Sequence, residues 1–237
     1  MSTADGPAII RVTNARDLDR ALRDNAVRTG LPVLACVGGA AGIDDGDLLA
    51  LAELMTTHVI PVVDRCSATI VDGGTDSGIM RLIGQARSAT RSSFQLIGVV
   101  AAGTVRLPVP AEPHIDDAAD IEPNHTHIVV VPGDSWGDET PWLSAVADRI
   151  ASGMPSATLV INGGSITLDD ALASVLAQRP VIVLADSGRA ADEIAGAQTG
   201  LSARESAQAI ADSPLTTVVS MRDPARLVAA ITAALNP

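Results

Sequence analysis

Short apolar runs rich in β-branched residues alternate along almost the whole chain with longer stretches whose apolar positions recur every three or four residues. The first pattern belongs to strands buried on both faces, the second to amphipathic helices. Ile9-Ile10-Arg11-Val12 predicts a first strand, and Asn14 or Asp17 can cap a helix running to about Thr29. Residues 31–37 predict a second strand ending in Gly38-Gly39-Ala40-Ala41-Gly42. Asp44, Asp45 or Asp47 then caps the helix carrying Leu48, Leu49, Leu51, Ala52, Leu54 and Met55. Residues 68–71 form the next strand, Asp72-Gly73-Gly74-Thr75-Asp76-Ser77-Gly78 turns the chain, and Ile79, Met80, Leu82, Ile83 and Ala86 follow at helical spacing.

The same grammar continues through strands at 95–100, 127–131, 157–161, 181–185 and 216–220. Helices are predicted from Thr140, as cap, to about Ser152, then over 167–177, 189–197 and 224–235. Two stretches break it. Residues 103–126 hold four prolines and no clear period and read as a long surface loop, while 198–213 read as an insertion or short helix. Residues 1–8 read as a flexible N-terminus and 9–237 as one domain. Alternating strands and helices predict an α/β fold, a doubly wound and mostly parallel sheet with helices on both faces.

Composition narrows the chemistry. The net charge is −12, and the aromatics are Phe94, Trp136 and Trp142 without tyrosine, so neither the basic footprint nor the stacking surface of a nucleic-acid binder is present. Cys36 and Cys66 imply no disulfide framework. No uninterrupted apolar run reaches the roughly 18 residues of a membrane span, and no leader pattern is readable, which predicts a cytoplasmic protein without a membrane partner.

Four predicted strand ends carry small turns: Gly38-Gly39, Asp72-Gly73-Gly74, Asn162-Gly163-Gly164 and Asp186-Ser187-Gly188-Arg189. In an open parallel sheet these ends share one edge, where ligands bind at the switch in strand order. Glycines let backbone N–H groups approach phosphate oxygens, and helix N-termini add partial positive charge. Candidate ligand-binding residues are therefore Gly38, Gly39, Gly73, Gly74, Thr75, Asp76, Ser77, Gly78, Asn162, Gly163, Gly164, Ser165, Thr167, Ser187, Gly188 and Arg189. Hydroxyls and the Asn162 amide add contacts, and Arg189 neutralises charge. The turns lack the G-x-G-x-x-G fingerprint of nicotinamide dehydrogenases, and no cofactor is predicted. His125-x-His127 with Asp134 offers a partial metal set, but a hydrogen-bonded histidine at a loop-to-strand junction is the favoured reading and no metal is predicted. Asp134, Asp138 and Glu139 around Trp136 form an acidic loop able to contact a ribose hydroxyl or a cation.

The runs VDGGTDSGIMRLIGQAR, PNHTHIVVVPGDSWGDETPW and LVINGGSITLDDALASVLAQRPVIVLADSGRAADEI resemble the SLOG domain found at the N-terminus of TRPM channels, and more closely its free-standing prokaryotic relatives. The resemblance spans roughly residues 30–197. It implies a Rossmann-like domain that binds or senses a phosphorylated nucleotide-derived small molecule, such as ADP-ribose or a nucleoside phosphate. Such a sensor signals through a partner or a homo-oligomer interface. The channel proteins carry arginine on the helix after the acidic loop, whereas here the first basic residue of that helix is Arg149. More distantly, Asn162-Gly163-Gly164-Ser165-Ile166-Thr167-Leu168-Asp169-Asp170 is similar to the P-G-G-x-G-T-x-x-E motif of the Lonely Guy phosphoribohydrolases. That likeness implies the alternative of N-glycosidic hydrolysis of a nucleoside monophosphate, with Asp170 or Asp169 as catalytic acid.

Overall fold

The computed structural model describes residues 6–39, 42–107 and 114–236. Its strands are β1 (Ala8–Arg11), β2 (Val33–Gly38), β3 (Thr69–Asp72), β4 (Leu96–Ala101), β5 (Val105–Arg106), β6 (Ala119–Asp120), β7 (His127–Val131), β8 (Ser156–Ile161), β9 (Val181–Ala185) and β10 (Thr216–Ser220). Eight form one sheet in the order β1-β7-β4-β3-β2-β8-β9-β10, every pair parallel, and β5 and β6 make a small parallel ribbon of their own. From β2 the chain steps through β3 and β4 to β7, then crosses back to β8 and proceeds through β9 to β10. The order therefore reverses between β2 and β8, whose register runs from Val33 opposite Ser156 to Gly38 opposite Ile161. That is the crevice where doubly wound sheets accept ligands.

Alternation along each strand sends side chains to two helical layers. Val33, Ala35 and Val37 join α1 (Leu18–Asp24), α5 (Thr140–Ala151), α6 (Ser165–Leu176), α7 (Arg189–Gln198) and α8 (Glu205–Ala211) in one core. Leu34 and Cys36 join α2 (Asp45–Leu54), α3 (Ile60–Arg65), α4 (Gly78–Thr90) and α9 (Pro224–Leu235) in the other. Asp44 caps α2 by accepting from the Asp47 amide at 2.8 Å. A π-helical turn, Met55–Val59, joins α2 to α3 just ahead of Pro61, whose ring and missing N–H cannot continue an i→i−4 ladder. The resulting run Asp45–Arg65 is long and apolar enough to cross a membrane by length and composition, but Leu51, Leu54, Met55, Val59 and Ile60 pack it into the second core.

The structure corrects three expectations. The first helix stops at Asp24 rather than near Thr29, because Ala26 adopts a left-handed φ of 57° and the Val27 amide bonds back to Leu22. Thr140 begins α5 instead of capping it, with Glu139 in the cap position. The described part of 103–126 is not a surface loop: Thr104, Ala118, Glu122 and His125 are buried, and Val105, Leu107 and Ile121 cover the β4–β7 end of the sheet. Residues 108–113 of that stretch, and most of the predicted flexible terminus, lie outside the described residues.

Candidate functional site

Gly38 ends β2 with φ 145°, and a Cβ there would sit 1.8 Å from the Ile161 carbonyl oxygen, so only glycine lets the two strands part this closely at the switch. Gly39 continues the turn and donates its N–H to Ile161 at 3.2 Å. Opposite, Asn162 (φ 52°) and Gly163 (φ 90°) turn β8 into α6. Gly164 donates to the Thr167 hydroxyl at 3.2 Å, and Ser165, Ile166 and Thr167, as the first residues of α6, have amides without intrahelical acceptors.

A cleft of about 360 Å³ opens over these turns. Of the predicted ligand residues it is lined by Gly38, Gly39, Gly73, Thr75, Gly163, Gly164, Ser165, Thr167 and Arg189, and by the candidate acid Asp170. Sequence reasoning did not nominate Cys36, Val37, Met80, Leu143 or Ile166, which also line it. It did read Trp136 and Glu139 as part of an acidic loop, and both reach the cleft. Asp138 instead holds that loop, accepting the amides of Asp134 and Ser135 at 3.0 Å, while the Trp136 indole donates to Asp117 at 3.2 Å.

The remaining predicted residues are not brought to the cleft. Asn162 is fully buried, donates its backbone N–H to the Ser187 hydroxyl at 2.8 Å and its side-chain amide to the Ser187 carbonyl at 2.8 Å. The N–H groups of Ala190 and Ala191 go to the carbonyls of Gly163 and Asn162. The turn Asp186-Ser187-Gly188 thus buttresses the turn of β8, and two of the first α7 amides are already satisfied. Arg189, with a left-handed φ of 47°, is the residue of that turn that reaches the cleft, its guanidinium 3.3 Å from where a Gly164 Cβ would sit. It makes no ion pair with any described residue.

The turn after β3 divides likewise. Gly74 is pressed against Gly98 of β4, Asp76 pairs with Arg81 at 2.7 Å, and neither Ser77 nor Gly78 lines the cleft. Backbone bonds tie this turn to the 119–125 segment: Asp76 donates to Asp120, and Glu122 donates to Gly74. Asp169 is exposed on the outside of α6.

Two acidic side chains face the cleft with shifted protonation. Burial raises the Asp170 carboxyl to about 7; the nearby Thr140 hydroxyl opposes this, and the smaller effects of the Glu139 and Asp169 charges reinforce it. No hydrogen bond of good geometry reaches Asp170 Oδ1 or the Thr140 hydroxyl, both buried. Burial also raises Glu139, although its Oε2 accepts the Gly137 amide at 3.0 Å. Cys36 is pushed well up by burial and by the charge of Asp72, so its thiol is inert.

Beneath the cleft, His125 lies between two carboxylates, its Nε2 2.8 Å from Asp72 Oδ1 and its Nδ1 2.8 Å from Glu122 Oε2. All three side chains are essentially without solvent contact. Burial alone would lower the imidazole, but the charges and hydrogen bonds of Asp72 and Glu122 prevail and raise it to about 9. His125 is therefore a cation donating from both nitrogens. His127 turns away to the Asn25 carbonyl at 3.2 Å, so the two imidazoles do not converge on Asp134. Among the described residues no cluster of histidine, cysteine and carboxylate side chains is arranged to hold a metal ion.

A family model described as SLOG in TRPM, prokaryote, matches residues 31–229, a span that contains every element lining the cleft. No curated protein matches the chain.

Proposed function

The chain belongs to the prokaryotic SLOG-in-TRPM family, a membership that suggests a nucleotide-related ligand-binding or sensing role, and from that premise we propose that the β2–β8 cleft binds the phosphate of a nucleotide-derived small molecule. One observation carries this reading: the amides of Ser165, Ile166 and Thr167 open the α6 helix into the cleft beside Arg189, with no carboxylate among the described residues bonded to them. A helix N-terminus next to a guanidinium is a phosphate site in both charge and geometry. Gly38, Gly39, Gly163 and Gly164 keep the floor low enough for a phosphate to approach backbone. Trp136 and Glu139, which also line the cleft, then meet the sugar or base. Such metabolites are intracellular, which makes the cytoplasm the expected location.

The test is a thermal-shift series with ADP-ribose and nucleoside mono- and diphosphates, since a ligand selective for the native state raises the melting temperature. Arg189→Ala is expected to weaken the stabilising ligand by about tenfold or more, the weight of a charge-assisted hydrogen bond. Unchanged affinity would remove Arg189 from the site.

A second reading, N-glycosidic hydrolysis of a nucleoside monophosphate, is favoured by the near-neutral Asp170 acid inside the cleft, since general acids work best with a pKa near the operating pH. It predicts release of free base on incubation with nucleoside monophosphates and loss of that release in Asp170→Asn. Stabilisation without base release leaves the binding role alone.

A further inference from the structure

Asp170 stands in the second turn of α6, one helical turn after Ile166 and Thr167. Helical side chains lean toward the N-terminus, so its carboxyl enters the same cleft as the three open amides. The groups around it come from several elements. Glu139, entering α5, faces the cleft and is itself partly buried. Asp169 on α6 is exposed and interacts with Arg204, which Glu193 of α7 holds in an ion pair. Cys36 of β2 is a buried neutral thiol, and Arg189 of α7 reaches the cleft at Gly164. No histidine is among the described residues that line the cleft. Asp170 thus loses water without gaining a cation of its own, stands near a second carboxyl and leaves Oδ1 buried with no well-formed hydrogen bond from a described residue, the Thr140 hydroxyl nearby opposing the shift.

An ionised carboxylate in that position can only accept hydrogen bonds and would repel an anion at the helix terminus. A protonated one donates. We propose that Asp170 engages the ligand as the neutral acid, donating a hydrogen bond to the anionic group at the α6 N-terminus, so that the cleft takes up an anion together with one proton. The inference rests on reading the α6 N-terminus as an anion site, and the elevation of Asp170 to about 7 puts the linkage in the neutral range.

Inorganic sulfate is the probe, because its charge is constant between pH 6 and pH 8. Its binding is followed at fixed ionic strength through the amide NMR signals of Ser165, Ile166 and Thr167. If only the protonated form binds, the affinity falls with the protonated fraction, about tenfold from pH 6 to pH 8. Asp170→Asn, which keeps a donor and cannot ionise, is expected to bind sulfate with no pH dependence over that range, and to melt higher than the wild type at pH 8. Glu139→Gln, by removing the neighbouring negative charge that holds Asp170 up, is expected to shift the midpoint to lower pH; an unmoved or raised midpoint excludes Glu139 as a cause of the linkage. Sulfate that perturbs these amides equally at pH 6 and pH 8 overturns the proton linkage and leaves the anion site standing. Sulfate that leaves them untouched at both pH values overturns the anion site and the linkage with it.

Discussion

His125→Ala is expected to destabilise the protein by about 3–5 kcal/mol at neutral pH, the usual cost of breaking a buried ion pair by removing one partner. The substitution leaves Asp72 and Glu122 facing each other without a cation, where neither has solvent contact. It also removes the side-chain tie of the 119–125 segment to β3, leaving only backbone bonds to the turn that carries Gly73 and Thr75. The pH dependence has a defined sign. An imidazole raised from 6.5 to about 9 stabilises the fold fully below pH 6.5, and that contribution disappears as pH climbs through 9. The span corresponds to about 3 kcal/mol. Asp170 acts in the same direction at lower pH: an acid raised from 3.8 to about 7 favours the fold below 3.8, and this advantage is lost as pH rises through 7. Urea denaturation at pH 5, 6.5 and 9 should therefore show stability falling toward alkaline pH, and most of the 6.5–9 part of the fall should vanish in His125→Ala, leaving the end of the Asp170 contribution. A wild-type profile that is flat from 6.5 to 9 would contradict a charged His125.

Gly38→Ala and Gly39→Ala, one residue apart, are expected to fail differently. A Cβ on Gly38 lands 1.8 Å from the Ile161 carbonyl oxygen, a backbone atom that moves only if β2 and β8 separate, and φ 145° is itself strained for alanine. The expected loss exceeds about 4 kcal/mol, in the range reserved for broken cores and backbone conflicts. A Cβ on Gly39 meets no described residue closer than the Gly163 Cα at 3.8 Å and requires no left-handed backbone. It should cost less than about 1 kcal/mol while raising the floor of the cleft. Chemical denaturation separates the two, and the ligand identified by thermal shift should bind Gly39→Ala weakly despite its intact fold. Equal stability of both variants would mean that the strands can part at the switch without penalty.

Much of the architecture was legible because it is written in local periodicity. The strands at 127–131, 181–185 and 216–220 and the helix at 224–235 coincide with their apolar patterns. Residues 103–126 were not legible, since β5 and β6 have two residues each and burial there comes from His125, held by Glu122, meeting Asp72 more than fifty positions away along the chain. The site divided along the same line. Glycine-rich turns mark strand ends in any parallel sheet, but their letters do not say which turns face a cleft and which hold another turn in place. Asn162, Ser187 and Gly188 look like ligand residues and serve as a buttress, because only the pairing of β8 with β9 brings them together. Met80 and Leu143 carry no polar chemistry, so nothing in the sequence distinguishes them from ordinary core residues.

That buttress fixes more than position. The carbonyl of Gly163 and the N–H of Gly164 belong to one rigid peptide plane, and the two ends are held separately, the carbonyl by the Ala190 amide and the N–H by the Thr167 hydroxyl. The preceding plane is clamped in the same way, its carbonyl by Ala191 and its N–H by the Asn162 side chain. Neither plane can flip without breaking bonds at both ends. The turn thus arrives at an encounter already in its bound shape, the ordering entropy having been met when the chain folded, and docking at α6 need not wait for a loop to close.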